Sequence, residues 1–264
     1  MSLRAAYLDL DGTLLGKGAS LRHDGEGAFT LIGARALEAC ARAGAEVVLY
    51  SGRRRAQVHE GARLFGCRAF IFEAGCGLML DGELEWLTGD LQPRNGETIH
   101  ARVAASGAPT LLLDHYAGRL EPLAPFHRER EASHLFRGDV DALEADVLLA
   151  ECGHGDLRLI DNGSVGAGLR GYHLVPRAAS KGRAVARHMQ ARGYAREETL
   201  AVGDSREDLT AAGAVGTFWL VANAVEKDPS IRTALGAVPN ARVAEAGYGA
   251  GVYEAVVTTL AERR

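Results

Sequence analysis

The sequence predicts an α/β fold in which a parallel sheet is interrupted by an inserted segment. In the first 83 residues, and again after residue 176, short apolar runs alternate with stretches of helical spacing. Strands separated by helices favour a parallel sheet with right-handed crossovers. Between these parts the alternation is lost, and prolines, histidines and glycines become frequent. We therefore predict one sheet domain formed by 1–83 and 177–264, and an inserted α+β domain at 84–176.

The first part alternates regularly between the two kinds of element. Short apolar runs predict strands at residues 5–10, 46–50 and 69–72. Apolar residues with helical spacing predict helices at 31–43 and 53–64, which end at Gly44 and Gly66. Asp81-Gly82 suits a tight turn, so we expect a hairpin between strands at 77–80 and 83–87.

The elements of the insert are less regular, and those of the last part resume the alternation. In the insert, strands are predicted at 110–114, 157–161 and 172–175, and helices at 97–105 and 140–149. In the last part, helices are predicted at 181–191, 207–212 and 251–262, and strands at 199–202 and 218–221. Ser180 is a good N-cap residue for the first of these helices.

Composition excludes several classes of protein. The chain has 264 residues and a formal net charge of -4, which argues against a general binder of nucleic acid or anionic membranes. No apolar run approaches the length of a membrane span. The predicted first strand leaves no room for a signal peptide, and the four scattered cysteines suit a reducing compartment. We expect a cytoplasmic protein; the sequence does not indicate its oligomeric state.

Two carboxylates stand at the end of the first predicted strand, in "LDLDGTLL" (8–15). Residues two apart in an extended segment point the same way, so Asp9 and Asp11 would repel each other unless a cation or a proton intervened. Mg²⁺ suits such a place, because it prefers oxygen ligands. Asp204 follows another predicted strand and is the expected third contributor. Taken alone, the pair could also be a polar turn that closes the strand.

Further polar groups are expected at the same edge of the sheet, because ligands of open α/β sheets bind beyond the carboxyl ends of the strands. Ser51 and the backbone at Gly52 can donate hydrogen bonds to phosphate oxygens, and Arg53 is the best candidate among three consecutive arginines. Lys181 can supply positive charge from another direction. A carboxylate can attack phosphorus, while a second one protonates the leaving oxygen and later activates water.

One motif in the insert is excluded as a nucleotide site. The stretch 166–171 matches G-x-G-x-x-G, which binds dinucleotides only between a strand and a helix. Here a predicted strand follows it, so we expect a flexible hairpin loop that faces the active site instead.

Four stretches in order resemble the motifs of haloacid dehalogenase superfamily phosphatases. They are "DLDGTLL" (9–15), "YSGRRR" (50–55), "ASKGRAV" (179–185) and "GDSREDL" (203–209). The insert between the second and third resembles that of the IIB, Cof-type branch, which includes sucrose-phosphate and mannosyl-3-phosphoglycerate phosphatases. The resemblance implies a Rossmann-like parallel-sheet core with an inserted α+β cap that selects the substrate.

The resemblance also implies roles for individual residues. Asp9 would be the nucleophile and Asp11 the general acid/base, while Ser51 and Lys181 would bind phosphate. Mg²⁺ would be held by Asp9, the Asp11 carbonyl and Asp204, with support from Asp208.

The chain departs from the family pattern at two positions. Glu207 stands where the fourth motif usually has asparagine, and Ala74 in "EAGCG" (73–77) stands where relatives often have asparagine. Both departures concern substrate identity rather than the core catalytic groups.

Candidates for recognition of the leaving group lie in the segment that leads back to Lys181. They are Arg158, Asp161, Asn162, His173 and Arg177. The central histidines match no metal-binding spacing and are expected to be scattered over the surface. They are His115, His127, His134, His154 and His173.

Together these observations predict a Mg²⁺-dependent phosphatase. Its substrate would be a small phosphorylated metabolite, such as a sugar phosphate or a glycosyl-phosphoglycerate, and the reaction would pass through an aspartyl-phosphate. The alternatives are a phosphomutase and a non-catalytic phosphosugar-binding protein. We expect neither nucleic acid nor a membrane as partner.

Overall fold

Two β-sheets and the helices around them form the part of the chain that the computed structural model describes, residues 2–166 and 168–263. The strands are β1 (Ala5–Leu8), β2 (Glu46–Tyr50), β3 (Ala69–Phe72), β4 (Gly77–Leu80), β5 (Glu83–Trp86), β6 (Leu120–Pro122), β7 (His134–Gly138), β8 (Leu157–Gly166), β9 (Leu169–Pro176), β10 (Thr199–Gly203), β11 (Thr217–Leu220) and β12 (Ala241–Val243). The helices are α1 (Ile32–Arg42), α2 (Arg55–Phe65), α3 (Ile99–Ala105), α4 (Ala108–His115), α5 (Ala142–Glu151), α6 (Lys181–Arg192), α7 (Arg206–Leu209), α8 (Ala222–Lys227), α9 (Ile231–Gly236) and α10 (Tyr248–Glu262).

The larger sheet has the strand order β12-β11-β10-β1-β2-β3-β4-β5. Its strands are parallel from β12 to β3, and β4 and β5 add an antiparallel hairpin at one edge. Strand β1 pairs with β10 on one side and with β2 on the other. The segments that follow these three strands therefore leave the sheet at the same edge.

Both faces of the larger sheet are covered, which explains why its strands read as continuous apolar runs. Ala6 and Leu8 of β1 belong to one hydrophobic cluster, and Ala5 and Tyr7 belong to another. All four are completely buried. The alternation follows from the two-residue period of a strand.

The predictions for the first and last parts agree with the structure. Strands β2 and β3 have the predicted bounds, and the predicted hairpin turn is formed by Asp81 and Gly82, both at positive φ. The α/β fold class is therefore confirmed. The short elements α8, α9 and β12 were not predicted. None of the described helices has the length and apolarity needed to cross a membrane.

The insert contributes a second sheet with the order β6-β7-β9-β8, all of it antiparallel. The strand predicted at 110–114 is wrong, because this run lies inside α4. Pro109 occupies the first turn of α4, where a missing N–H costs nothing. Strands β6 and β7 were not predicted. The predicted domain boundary at residue 84 falls within β5, a strand of the larger sheet, and the division into two domains stays a prediction.

A buried carboxylate connects the loop after β3 to the insert. Glu73 is inaccessible to solvent and accepts backbone hydrogen bonds from Glu131 (2.8 Å), Ala132 (3.0 Å) and Ser133 (2.7 Å). It also accepts one from the hydroxyl of Ser133 at 2.8 Å, and the guanidinium of Arg130 lies 3.8 Å away. Because its oxygens are hydrogen-bonded, the buried carboxylate of Glu73 holds the insert against the loop after β3.

A second charged cluster lies at the beginning of β2. The carboxylate of Glu46 accepts hydrogen bonds from Arg192 (3.0 and 3.2 Å) and from the hydroxyl of Tyr194 (2.8 Å), and His188 lies 3.7 Å away. Burial alone would raise the pKa of Glu46, but these neighbours outweigh it and lower the pKa to about 2. The buried imidazole of His188 also hydrogen-bonds the hydroxyl of Tyr7 at 2.8 Å.

We predict that Glu73→Gln lowers the free energy of unfolding by about 3 kcal/mol, because it removes a buried charge whose partners stay behind. Urea denaturation measures this loss. Glu83→Gln, at an exposed position of β5, is the control and should change stability by less than about 0.5 kcal/mol. Equal stability of the two variants would show that the Glu73 contacts contribute nothing to the fold.

We also predict that Glu46 makes stability depend on pH. The pKa of Glu46 in the folded chain, about 2, lies below its ordinary 4.5, so its contribution is complete above that ordinary value and is lost as pH falls toward 2. The difference in unfolding free energy between wild type and Glu46→Gln should therefore be largest above pH 5 and shrink on acidification. A difference that stays constant from pH 7 to pH 3 would contradict this assignment.

Candidate active site

A lysine ammonium lies between two carboxylates at the carboxyl edge of the larger sheet. The Nζ of Lys181, the first residue of α6, donates to Asp9 at 2.7 Å and to Asp208 at 2.5 Å. Burial alone would lower the pKa of Lys181, but the two carboxylates outweigh it and raise the pKa. The ammonium also lies 4.9 Å from the centre of the Tyr50 ring, at the end of β2. The lysine is therefore held charged in a buried position.

The segment after β10 is shaped to turn its carboxylates inward. One oxygen of Asp208 accepts hydrogen bonds from the backbone of Asp204 (3.1 Å) and Ser205 (2.9 Å) and from the Ser205 hydroxyl (2.6 Å). This is a capping box at the start of α7. Gly12, at φ +83°, has no room for a β-carbon, which would lie 2.1 Å from an Asp204 oxygen. The turn after β1 therefore lies directly against Asp204.

Three carboxylates converge here, with oxygens of Asp9, Asp204 and Asp208 all within 4.8 Å of one another. Burial, followed by repulsion from Asp208, raises the pKa of Asp204 to about 7. Burial also raises the pKa of Asp9, even though Lys181 opposes the shift. The ammonium of Lys227 approaches Asp204 only to 3.7 Å. The cluster therefore concentrates more negative charge than its neighbours compensate, which is the electrostatic setting that a divalent cation stabilises.

The members of this cluster differ in how far their oxygens are engaged. Both oxygens of Asp208 accept hydrogen bonds from the protein. Among the described residues, Asp204 receives no hydrogen bond on its carboxylate, and Asp9 receives one, on a single oxygen. Asp9 and Asp204 are therefore the carboxylates with oxygens available to a metal ion, and Asp208 positions Lys181 and the loop.

Asp11 lies apart from the three carboxylates. Its side chain is 54% exposed and forms a two-pronged ion pair with Arg53, with Nε and Nη2 donating at 2.6 and 2.5 Å. Ser51 is buried at the end of β2, and its hydroxyl accepts from the backbone of Arg53 at 3.2 Å. The two aspartates of the first motif thus have different surroundings, one buried beside a lysine and one accessible beside an arginine.

These groups line one cavity of about 750 Å³ between the larger sheet and the insert. The sequence-predicted residues that line it are Asp9, Asp11, Ser51, Gly52, Arg53, Asp161, Asn162, His173, Lys181, Asp204 and Asp208. The hairpin of β8 and β9 supplies part of the opposite wall, including Ser164 and Val165.

Two of the residues expected to contact substrate do not line the cavity. Arg158 donates to the carbonyl of Ala179 at 2.8 Å and to Glu207 at 3.1 Å. Arg177 donates to the carbonyl of Gly155, which precedes β8, and to that of Leu157, the first residue of β8. Both arginines are thus engaged in contacts that connect the insert to its surroundings, and their part in recognising the substrate stays a prediction.

The histidine expectation is wrong for His173. This residue is 2% exposed, with its ring directed toward Gly52. Both faces of β9 are covered from Gly171 to Pro176, so a side chain at this position is buried on either face.

Glu207 and Ala74, the two residues that depart from the family pattern, are both buried. Glu207 is buried, and the oxygen that pairs with Arg158 also accepts from the backbone N–H of Lys181 at 3.0 Å. It therefore connects the loop of the fourth motif, the start of α6 and strand β8. Ala74 is buried at φ +56° beside Glu73. Its methyl group offers no hydrogen bond.

Three residues near the site were not singled out from the sequence. The ring of Tyr50 packs against the ammonium of Lys181. In the sequence, an aromatic residue at the end of β2 is only a weak indication of a role in the site. Arg130 donates to the carbonyl of Gly52 from the insert. Asn223 donates to the carbonyl of Gly12 at 2.8 Å and accepts from the backbone of Tyr248 at 2.8 Å. The last two contacts join distant parts of the chain, so no local pattern reveals them.

Comparison with known proteins supports the same fold. No sequence-family profile matches the chain. A phosphoglycolate phosphatase of Methanoculleus marisnigri is 27% identical over 256 residues, which cover 96% of this chain and 95% of that protein. The sucrose-phosphatase of Synechocystis, solved with sucrose and phosphate, has a TM-score of 0.67 at 17% identity and covers 98% of both chains.

A haloacid dehalogenase-like hydrolase of B. subtilis has a TM-score of 0.63 at 20% identity, over 97% of this chain and 99% of that one. These likenesses extend over both sheets rather than over the larger sheet alone. The chain therefore has the haloacid dehalogenase-like fold, with the second sheet in its insert, which is the fold that the four motifs predicted.

Proposed function

We propose that the protein is a Mg²⁺-dependent phosphatase that hydrolyses a small phosphorylated metabolite through an aspartyl-phosphate on Asp9. The enzyme class, a phosphoric monoester hydrolase, agrees with the full-length similarity to a phosphoglycolate phosphatase and a sucrose-phosphatase. The observation that carries the mechanism is the buried carboxylate of Asp9, 2.7 Å from the ammonium of Lys181 on the wall of the cavity.

Asp9 has the properties expected of a nucleophile. Lys181 holds the side chain through one oxygen, whose remaining lone pair could serve the metal ion, and the other oxygen stays free to attack phosphorus. The nearby ammonium offsets part of the repulsion between this carboxylate and the approaching phosphate. Ser51 and the backbone of Gly52 line the same cavity and supply hydrogen bonds to the phosphate oxygens.

Asp11 is proposed to move the protons. Its accessible carboxyl can protonate the leaving oxygen when the phosphoryl group transfers to Asp9, and the resulting carboxylate can then remove a proton from the attacking water. The guanidinium of Arg53 orients Asp11 through both of its oxygens. That ion pair must loosen while Asp11 carries its proton, since a protonated carboxyl attracts the arginine less.

The carboxylates of Asp9 and Asp204, together with the Asp11 carbonyl, are proposed to hold Mg²⁺, with Asp208 in support. When bound, the ion would neutralise charge on the transferring phosphoryl group. Asp208 contributes by holding Lys181 and the loop that carries Asp204 in position.

The proposed substrate is a sugar phosphate or a glycosyl-phosphoglycerate, and the proposed location is the cytoplasm. This proposal is supported by the residues of the insert that line the cavity, which we expect to contact the leaving group. A cavity of about 750 Å³ is large enough for a sugar phosphate, since small-molecule sites commonly span about 300–1,000 Å³.

We predict that Asp9→Asn lowers kcat by at least about a thousandfold, because an amide cannot form the aspartyl-phosphate. Phosphate release from a panel of phosphorylated metabolites, with and without Mg²⁺, measures the effect. The variant should fold, because Lys181 keeps Asp208 as a partner. Asp90→Asn, at an exposed loop position away from the cavity, is the matched control and should retain wild-type activity.

Three results would count against the proposal. Undiminished activity of Asp9→Asn would exclude the covalent mechanism. An isomerised sugar phosphate without released phosphate would favour a phosphomutase, and tight binding without turnover would favour a phosphosugar-binding protein.

A further inference from the structure

The charged side chains around the cavity balance one another. Its carboxylates are Asp9, Asp11, Asp161, Asp204, Asp208 and Asp228. Its cationic side chains are Arg53, Arg130, Arg170, Lys181, Arg206 and Lys227. Six formal negative charges thus face six positive ones. A bound Mg²⁺ adds two positive charges, and a phosphate monoester brings about two negative ones. Even with Asp11 protonated as the acid, at most one positive charge is left over, so the lining offers no cluster of cations for a second anionic group on the substrate.

The cations on the side of the insert are already engaged. Arg170 donates to Asp161 at 2.6 Å and lies 3.6 Å from Asp228. Arg206 lies 3.3 Å from the same Asp228 carboxylate. Arg130 lines the cavity but lies 3.8 Å from the buried carboxylate of Glu73, which is not part of the lining. A carboxylate on the leaving group would therefore have to displace an existing partner, and like charges placed together cost several kcal/mol.

Uncharged hydrogen-bonding groups lie opposite Gly52, one of the residues proposed to bind the phosphate. A β-carbon on Gly52 would lie 2.9 Å from Nε2 of His173 and 3.5 Å from Nδ2 of Asn162, so both side chains reach over this residue. The Nδ1 of His173 is buried without a hydrogen-bond partner among the described residues. A buried polar atom of this kind is costly unless a ligand or water satisfies it.

The imidazole of His173 is suited to a hydroxyl group. Burial lowers its pKa well below the usual value, and the positive charges of Arg130 and Lys181 lower it further. A neutral imidazole presents either a donor or an acceptor at the nitrogen that faces the ligand, depending on its tautomer, and an alcohol can complement either one.

Apolar side chains complete this wall of the cavity. They are Leu123, Phe126, Leu135, Val165 and Ile231. Phe126 is 57% exposed and Val165 is 45% exposed, so a bound molecule would cover apolar surface that water now contacts. The C–H surfaces of a carbon skeleton that also bears hydroxyl groups would suit such a wall.

We propose that this wall binds an uncharged, hydroxyl-bearing leaving group, with His173 and Asn162 as its hydrogen-bonding residues, and that it disfavours phosphate esters carrying a carboxylate. The inference rests on the proposed phosphatase function and narrows its substrate class. Of the two substrate classes proposed above, it favours sugar phosphates over glycosyl-phosphoglycerates, whose glycerate carries a carboxylate.

Two pairs of esters test the charge preference, because each pair exchanges only a CH₂OH group for a carboxylate. They are glycerol 3-phosphate against 3-phosphoglycerate, and 2-hydroxyethyl phosphate against 2-phosphoglycolate. We expect kcat/KM of the neutral member to exceed that of the acid by about tenfold or more in both pairs.

Asp228→Asn removes one negative charge from the lining and should shift the ratio toward the acid by about fivefold or more. Glu226→Gln, exposed in α8 and outside the cavity lining, should leave the ratio unchanged.

The role of His173 is tested separately, by the KM values of its variants. His173→Phe should raise KM for the neutral esters by about tenfold, while 4-nitrophenyl phosphate, whose leaving group has no alcohol hydroxyl, should change far less. His173→Gln, which keeps an amide near the Nε2 position, should recover part of the loss.

The outcomes separate this inference from the function on which it rests. Preference for the acid in either pair overturns the inference. So does hydrolysis of neither pair while other phosphorylated metabolites release phosphate, since both pairs are small against the cavity; phosphate release from no ester at all would overturn the proposed function instead. Equal loss on every ester with His173→Phe also overturns it. Ester hydrolysis that survives Asp9→Asn overturns the proposed mechanism instead.

Discussion

The site depends on one constraint: several carboxylates share a small buried space. The ammonium of Lys181 is hydrogen-bonded to two of them, and that of Lys227 comes only within 3.7 Å of Asp204. The parallel pairing of β1 and β10 brings Asp9 and Asp204 to the same edge, and the capping box after β10 adds Asp208. Lys181 contacts two of the three, and burial at the start of α6 keeps it there. Carboxylates left under-compensated in this way suit a metal ion and an incoming phosphate.

The position of Lys181 depends in turn on contacts with the insert. Its backbone N–H donates to Glu207, whose carboxylate also receives Arg158 from β8. On the other side of the cavity, Glu73 holds the segment around Ser133, and Arg130 reaches from that segment to the carbonyl of Gly52. The two walls of the cavity are therefore joined by buried ionic contacts rather than by apolar packing alone. This arrangement fixes the distance between the phosphoryl site and the groups that would receive the leaving group.

Much of the larger sheet and the residues of the four motifs could be predicted from the sequence. Apolar runs that end in polar residues define β1, β2 and β10, and the rule that ligands bind at carboxyl ends then groups Asp9, Ser51 and Asp204. The insert was harder, because short apolar runs such as 110–114 fit a strand or a helix equally well. The burial of His173 and the reach of Arg130 depend on contacts between distant segments, and no local pattern carries that information.

The central claim is a covalent intermediate on Asp9, with protons moved by Asp11, and one measurement tests it most directly. In Asp11→Asn, 4-nitrophenyl phosphate needs no acid to expel its leaving group, whereas hydrolysis of the intermediate still needs a base. The account predicts a burst of about one nitrophenolate per active site followed by slow turnover. Rapid quenching with acid and peptide mapping should then find the phosphoryl group on Asp9. Linear release without a burst, or a phosphoryl group on any other residue, would contradict the account.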